Sequence, residues 1–399
     1  MMDNVLSDNC LTYSGVNEKD LFSRSLLFAT NNNKAIVCWR FPGQTIKNLM
    51  IDTGPSTIIT NASLENTGSG FLLYPFQSSP HINGYFIKNS IHFMIGEEGN
   101  ITYTNSSGIP LTDLLAEEVV NSHSGNYHLG NNTDASSGTD YKTLVSNAIT
   151  NIEEGKLKKV VLARNKRLKL KESFDPVAMF YQLCASYPNS FISLTSHPVA
   201  GTWIGASPEV LLSQNDTTFR TVALAATQHT SDDKALSQAV WTQKEIEEQA
   251  LVSRYIINCF KKIRLREYEE EGPKTVKAGS LIHLKTDFSV DLKEVNRPEL
   301  ASVMLNLLHP TSAVCGMPKE EAKDYILTEE GLNRKYYSGF LGPVNMNSST
   351  DLFVNIRCAQ LLNGEAILYA GAGITAESDP EKEYQETEWK MKILEKFLA

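Results

Sequence analysis

The sequence predicts an α+β protein whose sheets pack against outer helices. Three observations carry that prediction. Strand-like and helix-like segments mix along the chain without the strict βαβ alternation of a parallel sheet. The helix expected at Tyr141–Glu154 is amphipathic, with Leu144, Ala148 and Ile152 at i, i+4 and i+8, so one face must cover a core. Apolar residues make up 41% of 399 and charged residues 21%, ample for a large core.

In chain order, residues 1–105 form a β-rich N-terminal portion. A short helix is expected at Lys19–Phe28, then strands at Ala35–Phe41, Gly70–Phe76 and, with alternation, Tyr85–Ile95. From 97 to 140 the chain is poor in apolar side chains and rich in Asn, Ser, Gly and Thr. A mobile loop is expected at 106–140, the best candidate for a boundary. Residues 141–398 are more tightly patterned. After the helix closed by Gly155 come a strand at Lys159–Arg164 and a helix at Phe174–Ala185. Paired strands are expected at Ser190–Thr195 and Gly201–Ile204, and two more at Val210–Ser213 and Phe219–Leu224. A long helix at Val240–Lys262 precedes two strands within Thr275–Leu292 and helices at Leu300–Leu308 and Lys319–Leu327. Strands at Leu352–Ala359 and Ala366–Ala370 lead to a final helix. Length alone suggests two or three domains.

The net charge of −9 argues against nucleic acid or an anionic membrane as partner, since both need a basic face. A small anionic substrate would need local positive charge or a metal. The six cysteines are scattered without a CxxC pair, which points to reduced thiols in a cytoplasmic protein. The first residues lack the basic-then-apolar pattern of a signal peptide, and no apolar run approaches a membrane span.

The stretch Tyr369–Lys390 concentrates chemistry. Gly371-Ala372-Gly373 reads as a small-residue turn open to a ligand anion. Ser378-Asp379-Pro380-Glu381 reads as a helix start. Glu383, Glu386 and Lys390 then share one helix face, suited either to a divalent cation beside an anion or to a solvated Glu/Lys surface. The long helix carries a second acidic pair, Glu245 and Glu248. A carboxylate from each helix is the usual manner of holding magnesium. Lys159 heads an apolar strand, where desolvation would favour a base, although a snorkelling surface lysine gives the same pattern. Glu209 lies between a small-residue turn and an apolar strand, a setting that raises a carboxyl pKa; an edge-of-strand glutamate is the alternative. His309 reads as a turn histidine. Arg357, flanked by strand formers, should find a bidentate carboxylate, from the protein or from a substrate.

Taken together, KVVLAR, GASPE, ALAAT, LHPTSAVCG, DLFVNIRCAQL, YAGAGI and EYQETEWK stand in the order found in the chorismate-utilising enzymes, the family of anthranilate synthase component I. The chain resembles the isochorismate synthases of menaquinone type, strongly over 141–398 and loosely over 35–100. The resemblance implies one domain of two packed β-sheets flanked by helices, with the active site in a cleft. It implies Lys159 as the base that activates water and Glu209 as the general acid. It implies Mg²⁺ on Glu248 and Glu386, with Glu245 and Glu383 as outer partners. Substrate contacts fall on Ala226, Thr227, Ala313, Tyr337, Arg357, Gly371 and Lys390.

The implied activity is an isomerase reaction, chorismate to isochorismate, by a cytoplasmic monomer without a glutaminase subunit. The lysine favours water over ammonia as nucleophile. Salicylate synthase, a siderophore-pathway isochorismate synthase, an ammonia-using synthase and a non-catalytic chorismate-binding protein are the alternatives. Two positions depart from the family pattern: Ala226-Thr227 where relatives commonly carry Gly-Thr or Gly-Ser, and Gln249 where they commonly carry histidine.

Overall fold

The computed structural model describes residues 11–13, 17–60, 63–116, 127–130, 140–229, 236, 239–278 and 281–398. These form two antiparallel sheets, one of 11 strands and one of 9. The larger runs from Leu11–Tyr13 at one edge, through Ala35–Arg40, Phe191–His197 and Gly201–Ser207 at its centre, to Glu365–Ile374, Lys159–Lys169 and Gly316–Met317. The smaller runs from Glu269–Ala278 through Leu281–Asp291, Thr218–His229, Val210–Gln214 and Thr350–Val354 to Thr57–Ile59.

Period-two alternation divides each strand between two cores. Val37, Trp39 and Met50 of the larger sheet meet Phe71, Leu73, Ile87 and Phe353 of the smaller one, forming the layer between sheets. Ile36, Cys38 and Leu49 point the other way, against helices Glu18–Asn31, Pro176–Ser186 and Pro380–Leu398. The outer face of the smaller sheet is covered by helices Gln243–Lys262 and Leu300–Leu308. Strand Ala35–Arg40 is therefore buried at every position, its apolar run Ala35–Trp39 by the two cores and Arg40 by the carbonyls of Phe41, Tyr187 and Pro188 that its guanidinium meets.

The chain passes between the sheets at several short connections; three matter here, and two of them were expected to be single strands. Gly84–Lys88 belongs to the smaller sheet and Ile91–Ile95 to the larger, so the run 85–95 breaks at Asn89-Ser90. Thr350–Val354 and Cys358–Leu361 likewise lie in different sheets, with Arg357 between them at φ +49°. The third crossing, Pro208-Glu209, joins Gly201–Ser207 to Val210–Gln214. The crossings at 209 and 357 are tied together: Val354 N–H donates to Glu209 O at 3.0 Å, and Ala206 N–H to Arg357 O at 3.0 Å.

Other expectations need correction. Gly371-Ala372-Gly373 is no turn but the interior of strand Glu365–Ile374, in register with Val161–Ala163. The loop expected at 106–140 contains a short helix, Leu111–Leu115; its mobility, like the state of Cys10, concerns residues largely outside those described. The first of the two strands expected within Thr275–Leu292 begins earlier, at Glu269. Cys38, Cys184, Cys259, Cys315 and Cys358 are free thiols. Among the described residues no helix is long and apolar enough to cross a membrane.

Candidate active site

A cleft of about 720 Å³, open to solvent, forms beside the two crossings. Glu209, Ala226, Glu248, Ala313, Tyr337, Arg357, Gly371, Glu386 and Lys390 line it, together with His283 and Gly373. Residues as distant in sequence as Glu209 and Lys390 thus converge.

Lys159 opens the strand Lys159–Lys169 and is 0% exposed. Its Nζ donates to Glu248 Oε1 at 2.9 Å. The glycines beside it are required by space rather than by turning. A Cβ on Gly373 would stand 2.9 Å from Lys159 Cε and 3.0 Å from Glu248 Oε1; one on Gly371 would meet Leu162 O at 2.9 Å and the Tyr337 hydroxyl at 3.0 Å. Glu248 comes from the long helix Gln243–Lys262, whose start is fixed by a Thr242–Glu245 capping box. Burial pushes its carboxyl up, but Lys159, Lys390 and Lys244 pull it further down, to a net value below the ordinary one.

The last helix begins where the sequence puts it, with Asp379 Oδ1 accepting from Lys382 N–H at 2.9 Å. Lys390 Nζ bridges Glu386 at 2.6 Å and Gly371 O at 2.9 Å. Glu383, 2% exposed, pairs with Lys244 at 2.7 Å, and burial with Glu386 nearby raises its carboxyl. Glu245 is committed elsewhere: its Oε2 accepts from Thr242 N–H at 2.7 Å and Gln228 Nε2 at 2.8 Å.

Glu209 is 5% exposed, and burial pushes its carboxyl up to about 7 against the pull of Thr311, Lys159, Arg357 and Lys390. Thr311 Oγ1 donates to Glu209 Oε1 at 3.4 Å. Among the described residues no carboxylate of the protein pairs with Arg357. Its Nη2 donates to His283 Nε2 at 2.8 Å, and burial pulls the guanidinium down to about 10. His283 Nδ1 in turn faces Ala226 O at 2.9 Å. A guanidinium only donates and a carbonyl only accepts, so the imidazole is neutral with its proton on Nδ1. Burial and Arg357 hold its pKa well below the ordinary value, in agreement.

His283 was not singled out from the sequence; its signal, a lone histidine in a strand, is indistinguishable from a core residue. Ala226 sits at φ +57° in a bulge between Ala225 and Gln228. Thr227 follows it in the strand, its side chain outside the described set. Gln249 is buried behind the cleft, donating to Ala223 O at 3.2 Å and Thr286 Oγ1 at 3.0 Å. His309 lies away from the cleft in a structural contact with Pro75 O at 3.1 Å.

Among the described residues no three His, Cys, Asp or Glu side chains form a self-sufficient metal site. Glu248 and Glu386 nevertheless offer carboxylate oxygens to one cleft. Magnesium takes one or two carboxylates and completes its shell with water and substrate oxygen, so this donor set fits it.

The chorismate binding enzyme family model matches residues 89–399. Isochorismate synthase DhbC of Bacillus subtilis is 29% identical over 268 residues, 64% of this chain and 66% of that protein, just under two thirds of its length. MenF, the menaquinone-specific isochorismate synthase of Escherichia coli, superposes with TM-score 0.75 at 22% identity, over 98% of this chain and 94% of MenF. Anthranilate synthase component I of Streptococcus pneumoniae superposes with TM-score 0.62 at 18% identity, over 99% and 94%. At those identities the two structural likenesses are likenesses of fold. The fold, the cleft and the match over residues 89–399 agree, and the chain belongs to the chorismate binding enzyme family.

Proposed function

We propose that this protein is an isochorismate synthase. The observation that carries the reading is one cleft lined by a buried carboxyl poised near neutrality, Glu209, and a buried guanidinium with no carboxylate partner among the described residues, Arg357, with a buried amine, Lys159, against the lining residues Glu248 and Gly373. Arg357 and Lys390 bind and orient the two carboxylates of chorismate. Lys159, in its neutral form, takes a proton from a water molecule, which attacks ring C2. The ring double bonds shift, and the C4 hydroxyl leaves with the proton that Glu209 supplies. Water is consumed and released, so the reaction is a net isomerisation. Each proton transfer is worth roughly 10²–10⁴-fold, and positioning supplies the rest. A magnesium ion held by Glu248 and Glu386 would neutralise substrate carboxylate charge.

Chromatography of products after incubation with chorismate and Mg²⁺ tests the function. Isochorismate is expected without pyruvate. Pyruvate with salicylate would establish the salicylate synthase alternative, an amino product formed with ammonium salts the ammonia-using one, and binding without product the non-catalytic one. For the destination of the product we propose menaquinone, on the motif resemblance. A strain lacking its menaquinone isochorismate synthase should regain menaquinone when it expresses this chain.

A further inference from the structure

We propose that the buried Glu330–Arg334 pair is a positioning device for this reaction, a side-chain substitute for a missing strand that fixes where Lys159 and Glu209 stand. The proposal rests on the isochorismate synthase reading. The strand Lys159–Lys169 is paired on one side from Val160, opposite Ile374, to Lys169, opposite Glu365. On the other side its neighbour is two residues long, with Met317 opposite Lys159 and Gly316 opposite Val160. Beyond that point the backbone groups of a buried strand still need partners.

Two charged side chains supply them. Arg334 Nη2 donates to Val161 O at 2.7 Å, and Ala163 N–H donates to Glu330 Oε2 at 2.7 Å. The pair is closed by Arg334 Nε to Glu330 Oε1 at 2.7 Å and Nη2 to Oε2 at 2.5 Å. Side-chain exposure is 2% for Arg334 and 0% for Glu330. A pair so deeply desolvated is a poor source of stability compared with apolar packing, which calls for another reason to hold it there.

The remaining donor gives that reason. Arg334 Nη1 donates to Val314 O at 2.8 Å. One rigid fork therefore grips the strand two residues from Lys159 and the loop three residues from Thr311, which bonds Glu209. Val161 and Val314 both line the cleft. Tyr337, another lining residue, is anchored by its N–H to Arg334 O at 2.9 Å. A point-charge ammonium cannot reach Val161 O, Val314 O and Glu330 together, because that geometry belongs to the planar guanidinium.

The test compares wild type with Arg334→Lys and Glu330→Gln, measuring kcat, KM, chorismate affinity by calorimetry and thermal midpoint. Arg334→Lys is expected to lower kcat by about tenfold or more while KM and binding change by less than about threefold, the signature of misplaced reacting groups around an intact binding site. Glu330→Gln keeps shape and one acceptor and should fall between it and wild type. If Arg334→Lys does not fold, Glu330→Gln answers alone, with increased amide exchange at Ala163 expected alongside lower kcat. Wild-type kcat with only a lower thermal midpoint would make the pair merely structural and overturn the proposal, as would failure of both variants to fold. Absence of isochorismate from the wild type would refute the function itself, and the positioning role with it.

Discussion

Charge is handled in opposite ways in two parts of the cleft. Around the final strand and the two acidic helices three lysines each have a carboxylate: Lys159 with Glu248, Lys390 with Glu386, Lys244 with Glu383. At the sheet crossings the charges lack such partners. Among the described residues Arg357 has no carboxylate within ion-pair distance and leans on a neutral imidazole, while Glu209 has one long hydroxyl contact. Burial then outweighs the opposing charges, lifting Glu209 to about 7 and drawing Arg357 down to about 10. The paired part is a neutral scaffold; the proposed magnesium ion would take over its Glu248 and Glu386 carboxylates. The unpaired part is where an anion gains most, because Arg357 is already desolvated and waits for a counter-charge.

Lys159→Ala breaks the comparison most severely. It removes the proposed base yet leaves Arg357 and Lys390 in place, so turnover should fall by roughly 10²–10⁴-fold while chorismate binding is largely kept. Calorimetry beside a turnover assay checks this, and full activity in the variant would reject Lys159 as the base. The next effect tests the unpaired part. Glu209 must carry its proton to act as an acid, and it does so below about 7. Turnover should therefore fall as pH rises through that value, approaching about tenfold per pH unit well above it. Glu209→Gln should lower turnover throughout and abolish that limb; a wild-type profile flat from pH 6 to about 8.5 would remove Glu209 from the acid role.

The sequence reveals the paired part better than the unpaired one. Lys159, Glu248, Glu386 and Lys390 sit on long regular elements, where spacing reports a shared face directly. Glu209 was half legible: its place between small residues and an apolar strand suits a carboxyl of raised pKa or an edge-of-strand glutamate equally, and burial in the cleft wall decides between them. The crossings were not legible. A run such as LFVNIRCA is strand-like throughout, and nothing local says that the chain changes sheet at Asn355–Arg357, since the switch is decided by which sheet each half completes. The same blindness turned Gly371-Ala372-Gly373 into a turn. Those glycines answer to Tyr337, Lys159 and Glu248, partners 34 or more positions away. His283 was missed because its role depends on Arg357, 74 residues later.

Gly373→Ala sharpens the comparison from the paired side. The added methyl would crowd the ends of two flexible side chains, Lys159 Cε at 2.9 Å and Glu248 Oε1 at 3.0 Å, rather than backbone. These can swing aside, so the fold should survive and the thermal midpoint should move little. Their mutual contact cannot survive unchanged, and turnover should drop by about tenfold from misplacement alone. Unaltered kcat would show that the 2.9 Å Lys159–Glu248 geometry is not what turnover depends on.

The smallest effect belongs to the unpaired side and carries no charge at all. Ala226 holds φ +57°, where an L-residue with a Cβ is disfavoured by about 1–2 kcal/mol. Its carbonyl must keep facing His283 Nδ1 to fix the tautomer that receives Arg357, so the strain cannot be relieved by turning the peptide. Ala226→Gly removes the clash but returns part of the gain as unfolded-state entropy, leaving a net stabilisation of up to about 1 kcal/mol. A higher denaturation midpoint at unchanged denaturant sensitivity is expected, with kcat and its pH dependence retained. An unchanged or lower midpoint would mean that the surrounding bulge stabilises the left-handed alanine, and that the departure from glycine at this position costs the fold nothing.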